Sequence, residues 1–112
     1  MTNYLEYLKH IRDECLYLVE KSEGLTYKKF LDDDTLKRAF VRSLEIIGEA
    51  TKKISMGFRQ KHPGVNWKEM AGMRDVLIHG YFGINYNIVW DVVVNHIPLL
   101  LREINEIIDS PR

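Results

Sequence analysis

From Tyr4 to Ser22 the positions Leu5, Leu8, Ile11, Cys15, Leu18 and Val19 recur three and four residues apart, drawing one apolar stripe along a helix of period 3.6. The stretch "EGLTYKKFLDDD" interrupts that pattern with Gly24 and an acidic cluster, so it reads as a connecting loop. Its carboxylates can accept hydrogen bonds from the free amides opening the next helix. A second and longest helix is predicted from near Thr35 to about Gln60, carried by Leu36, Phe40, Leu44, Ile47, Ala50, Ile54 and Phe58. "KHPGVN" ends it, because the residue before Pro63 is pushed out of helical geometry. Asn66 with Glu69 three residues on forms a capping-box pattern, which starts a third helix expected to stop at Gly80.

A fourth helix is predicted from about Asn87 to Ile108, with Val89, Val92, Val93, Ile97, Leu100, Ile104 and Ile107 inward. Pro98 lies inside it and removes the amide that would bond the carbonyl of Val94, so a bend is expected there rather than a break. No stretch alternates with period two long enough to make a strand outside the helical pattern. The fold class that follows is all-α, an up-and-down bundle of four or five helices.

At 112 residues the chain is expected to form one domain, 1–112, with a single core. Cys15 is the only cysteine, which excludes an internal disulfide and points to a reducing, cytoplasmic setting. Its place on the apolar stripe of the first helix makes it a small buried hydrophobe. Neither the charged N-terminal stretch nor the short run "VVVNHIPLLL" suits secretion or a membrane span.

Net charge is zero, but its distribution is uneven. Residues 37–74 hold nine Lys/Arg against three Asp/Glu, while both flanking thirds are acidic. Lysines solvating a long helix account for part of this, and local basicity can also guide a polyanion to one cleft.

The four histidines do not fit a metal site. Three positions before His10, His62, His79 and His96 stand Tyr7, Arg59, Val76 and Val93, so no Glu-x-x-His pair exists, and no two histidines are four apart. No metal and no cofactor are expected. Glu45 and Glu49, one turn apart, read as a wet face paired with Arg42 and Lys53. A phosphate-binding loop and a G-x-S-x-G elbow are both missing.

The segment "MRDVLIHGYFG", Met73 to Gly83, is different, for it sets Arg74, His79 and Tyr81 among apolar residues. In a straight helix Arg74 and His79 lie about 140° apart, whereas Asp75 and His79 share a face, so the carboxylate can orient the imidazole. A titrating histidine beside a fixed cation suits phosphodiester chemistry. Cleaving RNA needs a base for the 2′-hydroxyl, a cation for the phosphorane and an acid for the leaving oxygen. One chain supplies one such histidine, and a symmetric dimer would supply two.

The run "RSLEIIGEATKKIS…HPGVNWKEMAGMRDVLIHGYFGINYNIVWDVV" resembles the HEPN superfamily, and within it the small stand-alone toxins paired with minimal nucleotidyltransferase antitoxins. Its landmarks are "EIIGEA", "HPGVNW", the R-x4-H-x-Y core and the "VW" opening the last helix. The resemblance implies a homodimer whose two R-x4-H segments face each other across a cleft and cut an RNA substrate without metal. On matching positions Arg74 and His79 would be the catalytic pair, with Asp75 supporting them where asparagine is frequent in the family. Tyr81 matches the tyrosine that the partner nucleotidyltransferase modifies with AMP, adding bulk and negative charge. Two other readings use the same fold: a binding module that clamps its nucleotidyltransferase partner or a nucleotide without cleaving, and a bundle whose Arg and His only stabilise the dimer. Trp67 and Trp90 read as core or dimer packing rather than base-stacking platforms.

Overall fold

A computed structural model describes residues 4–77 and 83–110. It consists of helices α1 (Leu5–Ser22), α2 (Tyr27–Asp32), α3 (Asp34–Lys52), α4 (Met56–Lys61), α5 (Trp67–Ala71), α6 (Met73–Leu77), α7 (Tyr86–Asp91) and α8 (Ile97–Asp109), with a π turn at Val92–His96 joining the last two. No β-strand occurs among the described residues, and the all-α expectation holds. Nor is any of these helices long and apolar enough to cross a membrane.

The core lies where α1 packs on α3 and α8, and α3 in turn packs on α5 and α6. Leu8, Ile11, Cys15 and Leu18 are the buried face of α1, and Phe40, Leu44, Ile47 and Ala50 that of α3, as the apolar spacing requires. One polar link crosses this interface, where buried Ser43 donates to Glu14 Oε1 over 2.8 Å.

Three boundaries differ from the sequence expectation. The loop assigned to "EGLTYKKFLDDD" contains α2, opened by Thr26, whose hydroxyl accepts from the Lys29 amide at 3.2 Å. Six residues are too few for a helix stable on its own. Phe30 anchors this one: it is fully buried and stacks on Phe40 with ring centroids 5.2 Å apart, burial of the kind that stabilises by about 1.5–3 kcal/mol. Trp90 completes the cluster at 5.3 Å from the Phe30 ring. The acidic residues act as expected, Asp33 Oδ1 accepting from the Leu36 amide at 2.9 Å to cap α3.

The long second helix is two helices. Ser55 turns its hydroxyl to the Phe58 amide and caps α4, while Arg59 Nη2 donates to the Thr51 carbonyl at 2.8 Å and closes the end of α3. Ile54 stays buried across the break, which is why the apolar spacing conceals it. The third helix likewise divides at Gly72 into α5 and α6, after the predicted Asn66 cap, which accepts from the Glu69 amide at 3.4 Å. The expected stop at Gly80 lies outside the described residues.

The fourth helix runs as predicted, but Pro98 is accommodated by a π turn. Ile97 donates its amide to the Val92 carbonyl five residues back, and Pro98 follows at the start of α8, where a missing amide matters least. Phase supplies a second reason. In an unbroken α-helix the inward set Ile97, Leu100 and Ile104 would sit about 60° around from Val89, Val92 and Val93. Widening one turn to i→i+5 bonding rotates the later half back by about that angle. All six residues are buried.

Candidate active site

The site segment begins on α6. Met73 and Leu77, four apart, are buried and fasten this short helix to the core, which turns Arg74, Asp75 and Val76 outward. Gly48 fixes how closely α3 meets the end of α5 that leads into α6. A Cβ there would stand 3.1 Å from the Met70 carbonyl and 3.5 Å from Met73 Cβ, so the helices meet at a distance only glycine leaves open without adjustment.

That close approach brings Arg74 over Glu45, one turn before Gly48. Arg74 Nε lies 3.9 Å from Glu45 Oε2, the arginine 66% exposed and the carboxylate 23%. The reading of Glu45 and Glu49 as one wet face is therefore half corrected. Glu49 does pair with Arg42, at 3.9 Å, but the partner of Glu45 is the arginine of the R-x4-H segment. Its signal in the sequence is indirect: it is a carboxylate at the edge of a stripe whose neighbours Leu44 and Ile47 are fully buried, one turn before a glycine.

Past the segment, Asn85 joins α6 to α7. Its amide donates to the Leu77 carbonyl at 3.0 Å, and its side-chain Oδ1 accepts from the Asn87 and Ile88 amides. This residue thus ties the two described ends by a backbone hydrogen bond while α6 and α7 also pack on each other, and sequence reasoning passed over it. An N-cap asparagine two residues before the predicted helix was the available clue.

The family model described as "Ribonuclease HepT-like" matches residues 3–107. The chain belongs to the HepT-like family. Among its relatives is a protein of Caldanaerobacter subterraneus subsp. tengcongensis named "Putative RNase", 51% identical over 95% of each chain. Another, with the same name, from Methanocaldococcus jannaschii is 45% identical over 91% of this chain and 84% of the relative. A "Probable ribonuclease HepT" of Thermococcus cleftensis is 40% identical over 88% and 89%. No solved structure matches the chain significantly.

Of the HepT-like motif residues expected from the sequence, Arg74 and Asp75 stand exposed on α6, and His79 and Tyr81 lie outside the described residues. Both tryptophans are packed within this chain. Trp67 is buried and its Nε1–H donates to the His62 carbonyl at 2.9 Å, while Trp90 lies against Phe30 and Tyr27. Cys15 is fully buried, and that burial, with the charge of neighbouring Glu14 second, pushes its thiol from 9.0 up to about 12. It takes no part in nucleophilic chemistry at neutral pH.

Proposed function

We propose that this protein is a metal-independent endoribonuclease, the toxin of a HEPN and minimal nucleotidyltransferase pair, acting in the cytoplasm as a homodimer with its cleft between two R-x4-H segments. The observation that carries the reading is Arg74, turned to solvent from a helix that Met73 and Leu77 lock to the core, in a chain of the HepT-like family. The relatives' names point the same way.

In this reading His79 of one subunit takes the 2′-hydroxyl proton and the oxygen attacks phosphorus. Arg74 holds the negative charge growing on the phosphorane, and the second subunit's imidazole returns a proton to the leaving 5′-oxygen. The P–O5′ bond breaks, leaving a 2′,3′-cyclic phosphate and a free 5′-hydroxyl. Asp75 orients the imidazole. AMP attached to Tyr81 by the partner nucleotidyltransferase would set a phosphate in the path of the substrate phosphate and silence the enzyme.

The test is cleavage of RNA by partner-free protein in EDTA. Wild type should leave cyclic phosphate ends, and Arg74→Ala and His79→Ala should each lower the rate by at least about 100-fold while the dimer persists. Protein co-produced with its nucleotidyltransferase should gain AMP mass that Tyr81→Phe removes. An inert wild type that still binds a nucleotidyltransferase would make this a binding module instead.

A further inference from the structure

We infer that Glu45 is a positioning residue that holds the Arg74 guanidinium with its terminal edge toward the substrate phosphate, an inference that rests on the ribonuclease reading above. A guanidinium offers five N–H donors in a rigid fork, and the pair of Nη atoms is the edge that meets a phosphate in two parallel bonds. The Glu45 carboxylate approaches from the Nε side, at 3.9 Å, next to the side-chain stem. The Nη edge is thereby left for another anion.

The energetics separate this role from a structural one. An ion pair whose arginine is two-thirds exposed contributes little or nothing to stability, too little to explain a carboxylate at the margin of a core. An arginine free to sample its rotamers, by contrast, loses that freedom when the charge growing on the phosphorane immobilises it in the transition state, which slows the reaction by about 2- to 13-fold. Glu45 is well placed to reduce that loss. Its backbone is fixed by fully buried Leu44 and Ile47, and the approach of α5, which leads straight into α6, by the contact at Gly48.

The carboxylate has an opposing effect, since its charge repels a phosphate. The two effects differ in sign and can be told apart by variants. Glu45→Gln keeps an acceptor and removes the charge, whereas Glu45→Ala removes both. For a positioning residue, Glu45→Ala lowers kcat by about 2- to 13-fold with KM nearly unchanged, and Glu45→Gln recovers most of the loss. A rise in activity with both variants, or no change with either, overturns the inference while leaving the ribonuclease reading intact.

A second readout does not need activity. The Arg74 Nε–Hε cross-peak in a ¹H–¹⁵N spectrum, assigned by its disappearance in Arg74→Lys, should be sharp and displaced in wild type. It should move to the position of a free arginine in Glu45→Ala. If that peak is the same in wild type and Glu45→Ala, Glu45 does not hold the guanidinium. If wild type cuts no RNA yet the peak moves, the ribonuclease reading has failed and the restraint on Arg74 stands.

Discussion

Arg74 and Cys15 show how burial sorts reactive side chains here. Cys15 is sealed on the inner face of α1, its thiol raised from 9.0 to about 12, whereas Arg74 is lifted out of the same interior by the residues beside it. Because the folded thiol holds its proton more tightly than the unfolded one, its contribution to stability is complete below pH 9 and declines as pH rises toward 12. Over that window the loss relative to Cys15→Ala is about 1.4 kcal/mol per pH unit, measurable by urea unfolding of the two proteins in parallel. At pH 8 native protein should leave a thiol reagent uncoloured, and a full equivalent should react once urea unfolds the chain. Cys15 was readable from its place on an apolar stripe. Glu45 was not, because its partner comes from a segment 29 residues away and only the fold brings the two together.

Gly48 governs how α3 meets α5 and α6, and so where Arg74 stands. Gly48→Ala gains up to about 1 kcal/mol of helix propensity. It also presses a methyl against the Met70 carbonyl 3.1 Å away, and overpacking of this kind costs about 1–3 kcal/mol. Net destabilisation of about 1 kcal/mol is expected by thermal or denaturant unfolding, with Arg74 displaced from Glu45. The periodicity of apolar residues gave the correct face of every long helix because burial is what that spacing encodes. It missed the breaks at Ser55 and Gly72, where the stripe continues in phase, and the short helix α2, whose support is Phe30 stacked on a residue of another helix. Hydrogen bonds made by single side chains, such as those of Thr26 and Ser55, decide these boundaries.

The molecule as a whole collects on α3, α4 and α5 the cations that lie together in the chain: Arg38, Arg42, Lys52, Lys61 and Lys68 are all exposed. Arg74 follows them on α6, so the basic middle third supplies exposed cations on four successive helices, while the acidic thirds contribute α1 and α8. The topology also has an unusual tolerance. Shortening most helices of such a bundle by one residue would turn everything beyond the cut by about 100° and expose its core face. The stretch Val92–His96 already contains the surplus: without exposed Asn95 it would close as an ordinary α-helical turn, and Ile97, Leu100 and Ile104 would arrive within about 40° of where they now point. A 111-residue protein lacking Asn95 should therefore fold with nearly unchanged circular dichroism, whereas one lacking Arg102 should not. Viable sequences of two lengths are thus written into a single widened coil of backbone.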